Sequence, residues 1–225
     1  MQFKKTLQAI ALCCSLAGIG SAHADPILFN NVDDTGSILY ATTWQGASLS
    51  ASVQFTLTSL SAQQAVFSVL VANNSSGPGK NTLTSFGIDV VTPTLQNATA
   101  SGVWGAGTNV TLPGFQKVDL CMWPGNNCSG GSNAGLDEGE ISQFTLTLTT
   151  KGSFLSNGIS FETPYGVKFQ TVGTGGKSYD FAGCNAGTPG CGGSSLVPSQ
   201  VPEPASIALL GLGLLGATLA RRRKA

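Results

Sequence analysis

Three carboxylates crowd into four positions at Asp137-Glu138-Gly139-Glu140. Paired carboxylates are the minimum equipment of a glycoside hydrolase, one serving as acid and the other as nucleophile or base. The cluster sits between a Gly/Ser/Asn-rich loop and an alternating segment beginning at Ile141, so it also reads as a solvated loop-to-strand junction. Asp33 and Asp34, followed by Thr35-Gly36, make a second acidic turn. Both clusters offer the hard oxygen ligands that calcium takes, and neither has EF-hand or repeat-type spacing. Trp104, in a Gly-rich loop, and Trp123 are the candidate sugar platforms, although a tryptophan in such a setting equally serves as a buried anchor.

Trp123 lies between two cysteines. The segment after residue 25 holds Cys121, Cys128, Cys184 and Cys191, with six residues inside each sequential pair. Pro, Gly and Asn fill both intervals and favour tight reversal of the chain. In an oxidising compartment two local disulfides are the simplest pairing of the three that four cysteines allow. Each ring would contribute roughly 2–3 kcal/mol by restricting the unfolded chain. A four-cysteine zinc site is the rival, but structural zinc prefers two to four residues between paired cysteines.

The sole histidine is His23, which falls in an N-terminal export signal. A mature protein without histidine has no Ser-His-Asp or Cys-His machinery and no histidine-ligated metal. Catalysis is therefore not expected, and no cofactor is expected beyond a structural calcium ion. Charge narrows the partners further. Residues 25–200 carry ten acidic side chains against five lysines, and no arginine, which leaves five net negative charges. Nucleic acid and anionic membrane surfaces both demand a basic footprint, so neither is an expected partner.

The elements that must position these residues are β-strands. Residues 50–58 and 144–148 alternate polar with apolar, and residues 65–71, 83–91, 118–122, 159–162 and 167–172 are further short runs rich in β-formers. Gly, Asn, Ser and Pro cluster between them, and no stretch shows a capped 3.6-residue period. The pattern predicts an all-β domain of six to ten strands, an antiparallel β-sandwich of immunoglobulin-like or jelly-roll-like build, over residues 25–172. Residues 173–200, rich in Gly and Ser with two cysteines, read as a flexible linker.

The two ends are addresses. Lys4 and Lys5 precede an apolar stretch over residues 7–20, and Ala22-His23-Ala24 is a small-x-small cleavage site leaving Asp25 as the new N-terminus. Residues 1–24 thus predict a signal peptide, exported through the Sec translocon and removed by signal peptidase. At the other end Val201-Pro202-Glu203-Pro204 precedes an uncharged run over residues 205–220 and then Arg221-Arg222-Arg223-Lys224. At ~1.5 Å per residue the run spans about 24 Å as a helix, which a locally thinned bilayer accommodates. The basic tail places this end in the cytoplasm and the rest of the chain outside. The two prolines hold the preceding peptide extended.

This order of Pro-Glu-Pro, short hydrophobic helix and Arg-rich end, over residues 201–225, resembles the PEP-CTERM sorting signal of Gram-negative bacteria. Residues 71–76, 84–89 and 167–173 are also similar to stretches found in ectodomains that carry such signals. The resemblance implies recognition of Pro202, Glu203 and Pro204 by an exosortase, a transient inner-membrane anchor facing the periplasm, and delivery to the cell surface or extracellular matrix. It further implies company with exopolysaccharide in a biofilm. The expectation is thus a non-enzymatic surface or matrix protein. The alternatives are a carbohydrate-binding module for exopolysaccharide and a carboxylate-based glycoside hydrolase.

Overall fold

The computed structural model describes residues 26–130 and 134–191. Alternation of apolar with Ser, Thr or Gln side chains builds two antiparallel sheets packed face to face, a β-sandwich. The first sheet runs in the order β1 (Ile27–Phe29), β10 (Ile159–Val172), β5 (Gly79–Thr92), β8 (Lys117–Pro124), β7 (Trp104–Thr111), and β11 (Lys177–Ala182) also pairs with β10. The second runs β12 (Cys184–Asn185), β2 (Thr35–Trp44), β3 (Ala47–Leu60), β4 (Gln64–Asn73), β9 (Ile141–Thr150), β6 (Leu95–Ala100). The described residues hold one helix, the single turn α1 (Phe154–Asn157), capped by the Ser153 hydroxyl.

The predicted runs at 50–58, 65–71, 83–91, 118–122 and 144–148 all lie within strands. Those at 159–162 and 167–172 belong to one strand, β10, whose pairing with β5 slips between Glu162 and Gly166. The reading of residues 173–200 as linker needs correction up to Cys191. Residues 177–182 form β11 on β10, and residues 184–185 form β12 on β2. The domain therefore extends past residue 172, and only the remainder of the expected linker falls outside the described residues.

The inner layer is aromatic. Phe29, Phe55, Phe67 and Phe161 meet edge to face at its centre, with Phe29 5.0 Å from Phe67 and Phe161 5.1 Å from both Phe29 and Phe55. Such pairs add about 0.5–1.5 kcal/mol each beyond their area burial. Tyr165, also in the core, donates its hydroxyl to the Phe161 carbonyl at 2.9 Å, and burial pushes its pKa up to about 12.

Both sides of the sandwich are sealed by strands that change sheet. β6 passes straight into β7 on one side. On the other, β1 leads to β2 and β11 to β12, and Phe181 stacks on Phe169 at 5.8 Å while meeting Tyr40 edge-on. The crossing from β11 to β12 needs Gly183, because a Cβ there would lie 2.5 Å from both the Leu39 carbonyl oxygen and the Tyr40 ring.

Candidate functional site

A second, smaller core forms on the outer face of the first sheet. Leu112, Val118, Cys121 and Cys128 are fully buried there, with Val110, Phe115 and Trp123 packed against them. Glycines make the room. A Cβ at Gly166 would stand 2.6 Å from Leu112 Cδ2 and 2.8 Å from Phe115 Cδ2, and one at Gly87 would meet Val118 Cγ2 at 2.8 Å. The loop 112–115 thus lies directly on the backbone of β5 and β10.

The Cys121–Cys128 disulfide belongs to this layer, and Cys184–Cys191 closes the second ring beside β12, so both local pairings hold. The first ring carries the chain on to Ser129, whose carbonyl accepts a hydrogen bond from the buried Lys168 ammonium at 2.8 Å.

The two tryptophans have opposite fates. Trp104 is only 5 % exposed, stacked on Phe144 at 4.5 Å, with Phe86 against its edge and its indole N–H donated to Ser142. Its position in a Gly-rich segment suggested an accessible platform. Instead it begins β7 with its ring turned into the core, so the suggested sugar contact at Trp104 is withdrawn. Trp123 is half-buried on the outer face, where its ring covers Gly105 and Gly107; a Cβ at those positions would fall 2.6 Å and 3.1 Å from it. Small residues beneath one ring face leave a flat indole set into the sheet surface.

The carboxylates of the 137–140 cluster are tied into the fold. Thr82 donates to Asp137 at 2.5 Å, Asn81 to Glu138 at 3.0 Å, and the Asp137 N–H to Glu140 Oε2 at 2.7 Å. Asn73, fully buried, donates to the carbonyls of Asn81 and Leu136 at 2.8 Å each and so fastens the same loop to β5. Asp34 accepts from the N–H groups of Asn30 and Asn31, and these bonds hold its carboxyl below the usual range. Asp33 stands exposed with φ 74° on the same turn. Among the described residues no three His, Cys, Asp or Glu side chains converge as a metal site.

One acidic grouping escaped the sequence. Glu162 on β10 pairs across to Asp89 on β5, and Asp89 accepts from the Asp119 N–H of β8 at 3.3 Å while Asp119 accepts from the Val90 N–H. Burial pushes Asp89 upward in pKa, and the neighbouring Asp119 and Glu162 charges add to that rise. Three strands distant in sequence supply these residues, so only register brings them together. An open depression of about 450 Å3 between residues 93–96 and 150–152 contains Lys151 as its one charged side chain.

The predicted signal cleavage residues Ala22, Ala24 and Asp25, the motif residues Val201, Pro202, Glu203 and Pro204, and the tail Arg221, Arg222, Arg223 and Lys224 lie outside the described residues. Sequence comparison addresses the C-terminal group. Residues 200–224 match the family model of the PEP-CTERM protein-sorting motif. No curated protein and no solved structure matches the chain. The motif indicates exosortase-dependent sorting of a secreted protein with a C-terminal membrane-anchoring region.

Proposed function

We propose that this PEP-CTERM protein is a non-enzymatic component of the cell surface or extracellular matrix, cut by an exosortase at Pro202-Glu203-Pro204 and held with exopolysaccharide in a biofilm. The observation that carries the reading is the sorting motif at residues 200–224, which begins nine residues after a domain closed by the Cys184–Cys191 ring. Nine residues reach at most about 32 Å when extended, so the folded domain stands close to the membrane until it is cut free.

A non-enzymatic role is supported by the side chains themselves. Histidine occurs once in the chain, at His23. Asp137, Glu138 and Glu140, the acid–base candidates of the sequence, each hold a loop contact. The proposal requires no cofactor.

Changing Glu203→Ala tests the sorting step. The expected result is full-length precursor retained in the inner membrane, with the wild-type chain recovered outside at the intact mass of a twice-cleaved protein. Normal release of the variant would overturn the reading of residues 202–204 as a recognition site. A second reading, a carbohydrate-binding module, is favoured by the half-exposed Trp123 ring over Gly105 and Gly107. Polysaccharide pull-down with Trp123→Ala checks it: binding undiminished by the substitution counts against that ring as the platform.

A further inference from the structure

Charge is distributed between the two sheets with no overlap. Lys80, Asp89, Lys117, Asp119, Glu162, Lys168, Lys177 and Asp180 all fall in strands of the first sheet. The six strands of the second sheet contain no Asp, Glu, Lys, Arg or His. Its outward positions are mostly hydroxyls and amides in register, interrupted by the aliphatic side chains Leu39, Val66, Leu70 and Ile141. Ser37 faces Gln54 across β2 and β3, and Thr56, Ser68 and Thr145 form one rank across β3, β4 and β9. The next rank sets Thr147 of β9 opposite Thr99 of β6. Gln143 donates to the Ser68 hydroxyl at 2.8 Å, one rank linked to the next.

Solubility does not ask for this. An ordinary solvated surface is about a quarter to a third charged. A face that another molecule covers gains by excluding charge, because a covered charge must be desolvated without a partner. Protein interfaces are enriched in aromatics, Met and Arg and depleted in Ser. This face has no outward aromatic, since Tyr40, Trp44, Phe55, Phe67 and Phe144 all turn to the core. Each Ser or Thr hydroxyl both donates and accepts, and each Gln amide does the same, which matches a partner that is itself neutral and hydroxylated. The pattern repeats at about 4.8 Å between strands and about 6.7 Å along them, so a long polymer meets many weak contacts at once. The negative balance of the remaining surface disfavours an anionic polymer.

We infer that the outer face of the β2–β3–β4–β9–β6 sheet is a docking surface for a neutral polysaccharide. This deepens the matrix reading above and rests on it for its setting, but its test involves no sorting step, so the two fail separately. Exported, processed protein is run in native gels containing dextran or hydroxyethylcellulose as neutral probes, or alginate as an anionic one. The expected result is retardation by at least one neutral probe and not by alginate. Gln54→Lys and Gln54→Glu, at an exposed position in the middle of the face, should each weaken binding at least tenfold regardless of sign. Thr145→Glu should do the same, and thermal unfolding of each variant verifies the fold. Lys117→Glu on the other sheet should leave binding unchanged. Absence of retardation by either neutral probe would overturn the inference. So would loss with only one sign of charge, or loss in Trp123→Ala alone, which would move the contact to the first sheet. Self-association abolished by the Gln54 variants would reassign the face to a second copy of the chain.

Discussion

On the β2–β3–β4–β9–β6 sheet the inward Leu, Val and Phe alternate mostly with outward Ser, Thr or Gln, although Val66, Leu70 and Ile141 also face outward. On the β10–β5–β8–β7 sheet the outward positions include Gly87, Gly166 and Cys121, and the molecule folds its own 112–115 loop and disulfide ring over them. The first sheet thus has two packed faces and the second has one. An outward position on the first sheet is constrained by volume, whereas one on the second is constrained only by solvation.

The largest expected loss is common to both sheets and sets the scale. Phe161→Ala removes the ring shared by Phe29, Phe55 and Phe67 and should cost about 3–5 kcal/mol in urea unfolding. A smaller loss than 2 kcal/mol would mean that the two sheets do not share one core.

The disulfides sharpen the contrast. Both rings are the same size, so the restriction each places on the unfolded chain is the same, about 2–3 kcal/mol. Cys121 and Cys128 are fully buried in the second core, whereas Cys184 and Cys191 are only partly covered. Replacing Cys121 and Cys128 by Ser should therefore cost more than replacing Cys184 and Cys191, as read from thermal midpoints. Equal losses would show that the outer core adds nothing.

Volume comes next. Gly166→Val presses on Leu112 and Phe115 and should cost about 1–3 kcal/mol. Thr145→Val, outward on the other sheet, should stay within about 0.5 kcal/mol of the parent. If the two substitutions cost the same, the distinction between a two-faced and a one-faced sheet fails.

The smallest effect is electrostatic. The folded-state pKa of Asp89 is raised above its ordinary 3.8, so the folded protein binds its proton more tightly than the unfolded chain does. Stability is therefore lost as pH rises through this range, and no cost remains well below 3.8. Asp89→Asn should raise the thermal midpoint at pH 7, and the gain should fade as the solution is acidified. A gain independent of pH would point to packing instead of charge.

Much of the inner layer could be read directly, because strand alternation is local: Val53, Phe55 and Leu57 are buried and Gln54 is exposed, as their order in the chain implies. β11 was harder, since the Gly-rich residues before it mask a six-residue strand whose Tyr179 and Phe181 pack against Trp44, Phe169 and Tyr40, all distant in the chain or on other strands. Trp104 misled for the same reason: its neighbours are Gly and Ala, and its real surroundings, Phe86 and Phe144, are far away in the chain.

The address and the chemistry therefore came from residues adjacent in sequence. The Pro-Glu-Pro motif, the basic tail and the two short cysteine rings are each contained within a few turns of chain, where spacing alone carries the information. Register decided the rest. The Glu162–Asp89–Asp119 row, the glycines beneath Trp123 and Phe115, and the uncharged ranks of Thr and Ser exist only across hydrogen-bonded strands far apart in sequence. No local pattern specifies which strand lies beside which, because burial rewards every apolar face alike and only the closed sandwich selects one pairing.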